Sequence, residues 1–272
     1  MELYQQMSYE LAERLTRRYS TSFSMSSRLF ASRIRPHIYA VYGMVRLADE
    51  IVDTYRGDDA MAQLDNFEAV VYQACKQGYS TNPIVHAFAL TAQKYGIEQE
   101  LISPFFASMR MDMMTAEYDE AAYRRYIYGS AEIVGLMCLK VFVEGDATQY
   151  GQLCDGAMHL GAAYQKVNFL RDMKADYELL GRVYFPGVDY PSFSETSKRA
   201  IEADIAADFS LAKTNIKQLP LTIRRAVCTS MLYYEALFRR LQNASAADIK
   251  ARRIRVPNSV KLLLFVRGAV GL

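Results

Sequence analysis

The sequence predicts an all-α protein with a single domain, and three observations support that prediction. Only 14 Gly and 7 Pro occur in 272 residues, which leaves too few turn signals for a sandwich or barrel of many short strands. Apolar residues recur at the helical period along most of the chain. No repeat, low-complexity tract or change of composition marks a linker, so one domain over residues 1–272 is the simplest division.

Each predicted helix follows from this periodicity and from local start and stop signals. Pro36 suits the first turn of the second helix, and Gly78 and Gly145 suit helix ends. Pro83 and Pro220 separate neighbouring helices, because the residue before a proline avoids the helical conformation. The expected helices cover residues 2–18, 34–56, 59–78, 83–94, 98–114, 119–142, 147–180, 195–217, 220–243 and 256–268, and the long segment 181–194 is expected to be irregular.

Charge and cysteine content exclude several functional classes. The 32 Lys and Arg residues nearly balance the 30 Asp and Glu residues, so the chain lacks the basic excess of a nucleic-acid-binding protein and no nucleic-acid partner is expected. The 4 Cys residues are far apart and lack metal-ligand spacing, as expected for reduced thiols in a cytoplasmic protein. Neither a signal peptide nor a membrane span is apparent in the sequence.

The C-terminal part of the chain carries a cluster of basic residues followed by an apolar tail. The basic residues lie within Lys250–Arg255, and the apolar tail covers Val260–Leu272. A solvated helical face accounts for this pattern, and so does peripheral contact with a membrane. The sequence leaves both interpretations open, and a monomer or a weak dimer is expected.

Two predicted helices carry stripes of short acidic and amide side chains. In the first, Asp49 and Asp53 are four residues apart and lie on one face, beside the apolar stripe. The second stripe consists of Gln165, Asn168, Asp172 and Asp176. A polar face is typical of any surface helix. However, Asp and Asn are poor residues for a helix interior, and each stripe has an arginine beside it, Arg46 or Arg171.

Short oxygen ligands on two facing helices would form a site for a hard divalent cation. Mg²⁺ binds through one or two carboxylates and completes its coordination with water and substrate phosphates. Arginine guanidinium groups match the geometry of phosphate oxygens. The two stripes therefore predict a Mg²⁺-diphosphate site in a central cavity between their helices.

These segments resemble the motifs of the squalene/phytoene synthase family. Residues 49–53 (DEIVD) resemble its first aspartate-rich motif, and residues 168–176 (NFLRDMKAD) resemble the second. Four flanking segments are also similar, namely 20–23 (STSF), 42–46 (YGMVR), 128–135 (YGSAEIVG) and 182–186 (RVYFP). The resemblance runs from about residue 15 to 190 and weakens beyond. It implies the isoprenoid-synthase helical bundle with its central cavity.

The resemblance also implies roles for individual residues. The implied metal ligands are Asp49, Asp53, Asn168, Asp172 and Asp176. The implied diphosphate-binding residues are Ser22, Arg46, Gln165, Asn168, Arg171 and Tyr233. Tyr42 and Tyr184 are implied to act beside the reacting groups, together with the four aspartates. Phe23 and Tyr164 are implied to line the cavity, with Phe23 closing a flap over it.

The reaction implied by the resemblance is a head-to-head condensation that depends on two or three Mg²⁺ ions. Two farnesyl or two geranylgeranyl diphosphates would form a cyclopropylcarbinyl diphosphate, which would ionise and rearrange to a linear hydrocarbon. NADPH would be needed only if the product is squalene. Phytoene or dehydrosqualene is preferred, because no distinct reductant site is apparent in the sequence.

One departure from the family pattern and two alternative functions remain open. Glu132 occupies a position where many members have a small residue, so it is either a cation stabiliser or a surface group, and the product is left open. A non-catalytic scaffold protein on the same fold is one alternative, although such relatives are expected to lose motif aspartates. A head-to-tail prenyltransferase or terpene cyclase is the other, although those enzymes usually carry DDxxD motifs.

Overall fold

The computed structural model describes residues 2–55, 57–114 and 117–270 of the chain. Its helices are α1 (Glu2–Tyr19), α2 (Thr21–Ser27), α3 (Arg35–Asp49), α4 (Ala60–Gln77), α5 (Pro83–Tyr95), α6 (Gln99–Met114), α7 (Glu120–Ile127), α8 (Ile133–Phe142), α9 (Ala147–Leu180), α10 (Glu195–Ile216), α11 (Leu221–Gln242), α12 (Ala246–Ala251) and α13 (Asn258–Val270). The described residues form no strand beyond an isolated bridge between Glu117 and Val183. The predicted all-α class is therefore confirmed.

Local sequence signals explain most helix boundaries. Pro36 lies in the first turn of α3, and Asn82 caps α5 by accepting hydrogen bonds from two backbone N–H groups. Gly78 ends α4 with φ of 71°, a conformation that glycine adopts without strain. Contrary to the prediction, Gly145 does not directly end a helix. Helix α8 ends at Phe142, and Gly145 lies with φ of 90° in the turn before α9.

The structure adds two short helices that periodicity does not predict, α2 and α12, because 7 and 6 residues are too few to establish a helical pattern. Each of two predicted helices contains a π-helical turn, Glu50–Thr54 after α3 and Tyr128–Glu132 between α7 and α8. Arg56, the predicted end of the second helix, lies outside the described residues, as do the last two residues of the apolar tail.

The 34-residue helix α9 lies at the centre of the bundle and packs against α8, α10, α11 and α12. Glycines permit its closest contacts. A Cβ atom at Gly161 would lie 2.5 Å from the carbonyl oxygen of Ala131, and one at Gly135 would lie 2.6 Å from that of Ala157. At these glycines the backbone of the π-turn 128–132 and of the start of α8 therefore packs directly against the backbone of α9.

None of the helices in the described part of the chain combines the length and apolar character needed to span a bilayer. The assignment of all 272 residues to one domain stays a prediction.

Candidate active site

A cavity of about 500 Å³ opens among α2, α3, α8, α9 and α11. One end carries acidic and basic side chains, and the other is walled by apolar residues such as Phe30, Leu139 and Phe142. Of the residues singled out from the sequence, those lining the cavity are Phe23, Tyr42, Arg46, Asp49, Asp53, Tyr164, Gln165, Asn168, Arg171, Asp172, Asp176 and Tyr184. The fold thus brings both stripes to one place.

The first acidic stripe lies where α3 passes into a π-turn. Asp49 is the last residue of α3, and Asp53 lies within the turn. Arg46, one turn earlier, is 3.7 Å from the Asp49 carboxylate and also pairs with Glu50. Burial, followed by repulsion from Asp53, raises the pKa of Asp49 to about 7. This carboxylate therefore lies in an environment that favours an added cation.

The second acidic stripe lies within the regular helix α9. The Arg171 guanidinium donates to the Asp172 carboxylate, with Nε 2.9 Å from Oδ1. Arg253 approaches the same carboxylate from the segment after α12, with its Nε 2.6 Å from Oδ1. The pKa of Asp176 is raised to about 7 by burial and then by repulsion from Asp172, Asp53 and the buried Asp112. The two stripes therefore interact electrostatically across the cavity.

The donor set at the acidic end fits Mg²⁺. Within residues 2–55, 57–114 and 117–270, no three acidic, His or Cys side chains form a ready-made metal site. Mg²⁺ does not require one, because it binds through few carboxylates and takes the rest of its shell from water and phosphate. The Asn168 side-chain oxygen is buried, lines the cavity and has no hydrogen-bond partner. An unpaired amide oxygen beside carboxylates is a suitable ligand for a hard cation.

Asp112 of α6 lines the cavity, although it belongs to none of the motifs in the sequence. Its carboxylate accepts hydrogen bonds from Tyr126 at 2.5 Å and Tyr184 at 2.8 Å, with Tyr118 further away at 3.3 Å. Burial raises the pKa of Asp112 to about 6, whereas Arg182 lowers it. This carboxylate fixes the hydroxyl of Tyr184, which is one of the predicted site residues.

Arg182 connects Asp112 to the first acidic stripe. Its Nη1 atom is 3.6 Å from an oxygen of Asp112 and 3.6 Å from one of Asp53. The residue follows α9 directly and is 8% exposed. One buried guanidinium thus links the first acidic stripe to the buried carboxylate of α6, and Tyr184 receives its 3.4 Å hydrogen bond.

Aromatic rings line the cavity in stacked pairs. Phe23 of α2 lies over Tyr42 of α3 with ring centroids 5.2 Å apart. Tyr164 of α9 stacks on Tyr234 of α11 at 3.8 Å. A third stack joins Tyr184 to Phe169 at 4.0 Å. The faces of these rings are electron-rich, and a ring face of this kind attracts a positive charge placed over it.

Two of the predicted diphosphate-binding residues, Ser22 and Tyr233, do not line the cavity. Ser22 lies on α2 and is half-buried, and Ser26 of the same helix reaches the cavity instead. Tyr233 is buried on another face of α11, and its neighbour Tyr234 lines the cavity. Tyr233 and Tyr234 are adjacent in the sequence, and adjacent residues on a helix point about 100° apart. The diphosphate-binding role predicted for Tyr233 therefore finds no support in its position.

Glu132 lies in the π-turn between α7 and α8, and its side chain is absent from the cavity lining. Burial and the neighbouring Asp208 raise its pKa, whereas His159 and Lys166 lower it. These partners belong to a polar cluster between α9 and α10, in which Lys166 lies 2.8 Å from Asp208. Because Glu132 is outside the cavity lining, its position favours the surface group over the cation stabiliser.

Comparison with known proteins finds a matching family and named relatives. The family model for squalene/phytoene synthase matches residues 16–259. The phytoene synthase of Arthrospira platensis is 25% identical, with 94% of this chain and 90% of that protein covered. The 4,4'-diapophytoene synthase of Staphylococcus haemolyticus is 24% identical, with 74% and 70% covered.

Two solved structures share the fold. A dehydrosqualene synthase in complex with a ligand superposes with a TM-score of 0.84 at 20% identity, covering 98% of this chain and 96% of that one. Squalene synthase HpnC from Alicyclobacillus acidocaldarius gives 0.76 at 24% identity, covering 89% and 95%. Since the family model spans most of the sequence, the chain belongs to the squalene/phytoene synthase family, the prenyltransferases that its motifs predict.

Proposed function

We propose that this protein catalyses the Mg²⁺-dependent head-to-head condensation of two prenyl diphosphates. The observation that carries the proposal is the meeting of two acidic helices at one end of an otherwise apolar cavity, where Asp176 is repelled by Asp53 and Asp112. The acidic end suits diphosphates with their metal ions, and the apolar end suits two prenyl tails. Family membership supports the same chemistry.

The side chains at the acidic end have two proposed roles, binding of metal ions and binding of diphosphate oxygens. The proposed metal ligands are Asp49, Asp53, Asn168, Asp172 and Asp176. When bound, Mg²⁺ neutralises the charge that develops on a departing diphosphate. Arg46 and Arg171 contact diphosphate oxygens, and the Nε atom of Arg46 is buried without a hydrogen-bond partner and so offers a free donor. Gln165, which lines the cavity one turn before Asn168, assists them.

The rest of the cavity protects and stabilises the allylic cation. Apolar walls exclude water, which would otherwise capture the cation as an alcohol. Tyr42 and Tyr184 stabilise positive charge through their ring faces, and the hydroxyl of Tyr184 is held by Asp112. Phe23 stacks on Tyr42 and closes the cavity on the side of α2.

The proposed substrates are farnesyl or geranylgeranyl diphosphate, and the proposed products are dehydrosqualene or phytoene in preference to squalene. Relatives named phytoene synthase and 4,4'-diapophytoene synthase support this preference. NADPH takes part only if the product is squalene. We further propose that the enzyme is cytoplasmic and is a monomer or weak dimer. It contacts a membrane peripherally, because both substrate tails and product are apolar.

The decisive experiment incubates the purified protein with Mg²⁺ and either farnesyl or geranylgeranyl diphosphate, with and without NADPH. Products are extracted and identified by mass spectrometry, and diphosphate release is measured in parallel. A C30 or C40 hydrocarbon, or the cyclopropylcarbinyl diphosphate, is expected from one substrate and is abolished by EDTA.

Other outcomes would contradict the proposal in distinguishable ways. A longer linear diphosphate or a cyclic terpene would identify a head-to-tail transferase or a cyclase. No product from either substrate, with the fold intact by circular dichroism, would favour a scaffold protein. Asp155→Asn is the matched control for substitutions of the motif aspartates, because Asp155 is exposed on the same helix α9.

A further inference from the structure

Helix α13 has an exposed apolar face that the bundle does not cover. Leu262, Leu263, Val266 and Val270 are 58%, 67%, 52% and 63% exposed. Their spacing places them on one side of the helix. Isolated exposed apolar residues are common on soluble proteins, but a contiguous stripe marks an interaction surface.

The opposite side of α13 is fixed firmly to the protein. Gly268 is buried against Thr229 of α11, where a Cβ atom would lie only 1.8 Å from the threonine hydroxyl oxygen. The helix also contacts α2. Both neighbours form cavity wall, since Phe23 of α2 and Tyr234 of α11 line the cavity. The exposed stripe is therefore held rigidly on the outside of one cavity wall.

The segment that leads into α13 and α13 itself carry only basic charges. No acidic residue follows Asp248, whereas the basic residues from there on are Lys250, Arg252, Arg253, Arg255, Lys261 and Arg267. Among them, Arg253 pairs with Asp172 of the cavity. The pKa of Lys261 is lowered by burial and then by the proximity of Arg171 and Arg255, so this lysine has two arginines near it where α13 begins. Arg252 is 71% exposed in its side chain and pairs only loosely, at 3.4 Å, with Asp248.

These observations together identify the occupant of the surface. A second copy of the chain, related by two-fold symmetry, would bring the same basic residues to both sides of the interface and would repel. A bilayer with anionic headgroups offers the complementary charge together with an apolar layer at the required depth. We propose that α13 lies in the surface of an anionic membrane, with the stripe formed by Leu262, Leu263, Val266 and Val270 inserted among the lipids.

The absence of Trp from the sequence allows a direct test. Leu263→Trp introduces the only Trp into the stripe, and its emission can be excited apart from that of the 20 Tyr residues. Leu3→Trp is the matched control, because Leu3 is 74% exposed on α1, which packs against α3 and α5. Vesicles contain phosphatidylcholine with about a third phosphatidylglycerol, and brominated phosphatidylcholine serves as the quencher. The emission of Leu263→Trp is expected to shift to the blue and to be quenched, while that of Leu3→Trp stays unchanged.

A second measurement tests the stripe without a fluorophore. Leu262→Ser combined with Leu263→Ser is expected to weaken co-sedimentation with the same vesicles by about tenfold or more, while Leu3→Ser leaves it unchanged. These residues are on the surface, so thermal melts of all variants should coincide. Vesicles of phosphatidylcholine alone should bind more weakly than anionic ones.

Three results would overturn the inference. One is equal quenching of both Trp variants, and another is co-sedimentation that the double Ser variant does not weaken. The third is a concentration-dependent dimer in analytical ultracentrifugation that the double Ser variant abolishes, since α13 would then be an interface between copies. Vesicle binding requires no turnover, so a negative catalytic assay leaves this inference intact, and a negative vesicle assay leaves the proposed function intact.

Discussion

The two acidic stripes supply similar side chains to the cavity from backbones of different geometry. Asp172 and Asp176 lie within a regular α-helix of 34 residues. Asp49 and Asp53 span the junction between α3 and a π-turn. A π-turn encloses one more residue in each hydrogen-bonded ring than an α-helix, so it changes the direction of Asp53 relative to Asp49.

The stripes also differ in how their carboxylates are held. Asp53 is contacted by Arg182, which is buried and shared with Asp112 of α6. Asp172 is contacted by its own neighbour Arg171 and by Arg253, which is 81 positions further along the chain. The comparison teaches that DxxxD spacing creates an acidic stripe, whereas the fold brings an arginine from a distant segment to one carboxylate of each stripe.

The largest expected effect tests whether the two stripes are equivalent. Asp49→Asn and Asp176→Asn should each lower kcat/KM on the order of 10³-fold, because each removes a charged side chain proposed to bind Mg²⁺, and the electrostatic contribution of such a ligand is several kcal/mol. The rate of diphosphate release at saturating Mg²⁺ gives kcat/KM, and Asp155→Asn should retain activity. Loss in only one of the two variants would show that one stripe alone carries the metal site.

The next effect concerns the support of the first stripe. Asp112→Ala should lower the free energy of unfolding by about 3 kcal/mol, because it leaves a buried arginine and three tyrosine hydroxyls without their shared acceptor. Tyr118→Phe removes only the 3.3 Å hydrogen bond to Asp112, so its cost should stay below about 1 kcal/mol. Urea unfolding measures both. Equal stability of the two variants would contradict a supporting role for Asp112.

A smaller effect concerns the placement of the second stripe. Gly161→Ala should destabilise the protein by about 2 kcal/mol, because the added methyl group would meet the Ala131 carbonyl at 2.5 Å. Gly151→Ala on the same helix meets no atom within 4 Å and should stabilise by about 0.5–1 kcal/mol through helix propensity. Thermal melts distinguish the two, and the same sign for both would contradict the close approach of α9 to the π-turn.

The smallest effect is a pH dependence that both stripes share. The pKa values of Asp49 and Asp176 are raised from 3.8 to about 7, so the metal-free folded state holds these protons more tightly than the unfolded state. The resulting stabilisation is complete below about pH 4 and is lost as pH rises to about 7. The Tm in EDTA should therefore fall by a few degrees between pH 5.5 and 7.5.

The control for this pH effect combines Asp49→Asn with Asp176→Asn. The double variant should show a flatter dependence of Tm on pH in EDTA, because neither group titrates any longer. Mg²⁺ should raise the Tm of the unsubstituted protein more at pH 7.5 than at pH 5.5, where protons compete with the metal. An unchanged slope in the double variant would show that other groups cause the effect.

The helical periodicity of α6 indicates one site residue that the family motifs do not include. Asp112 lies 3, 7 and 10 residues after Met109, Phe105 and Ile102, all of which are buried on α6. This spacing places an acidic residue on the buried face of the helix, which is a signal for a supporting or catalytic carboxylate. No such signal exists for Arg253, because a contact across 81 positions depends on how α12 packs against α9.

The sequence by itself determined the helical class, most helix boundaries and the identity of the two acidic stripes, because these depend on spacing within a few turns of one helix. Only the tertiary structure decided that Tyr234 and not Tyr233 reaches the cavity, that Glu132 lies outside it, and that Arg253 joins the site. Helix rotation, π-turns and contacts between distant segments are set by the packing of the whole bundle, and no local pattern records them.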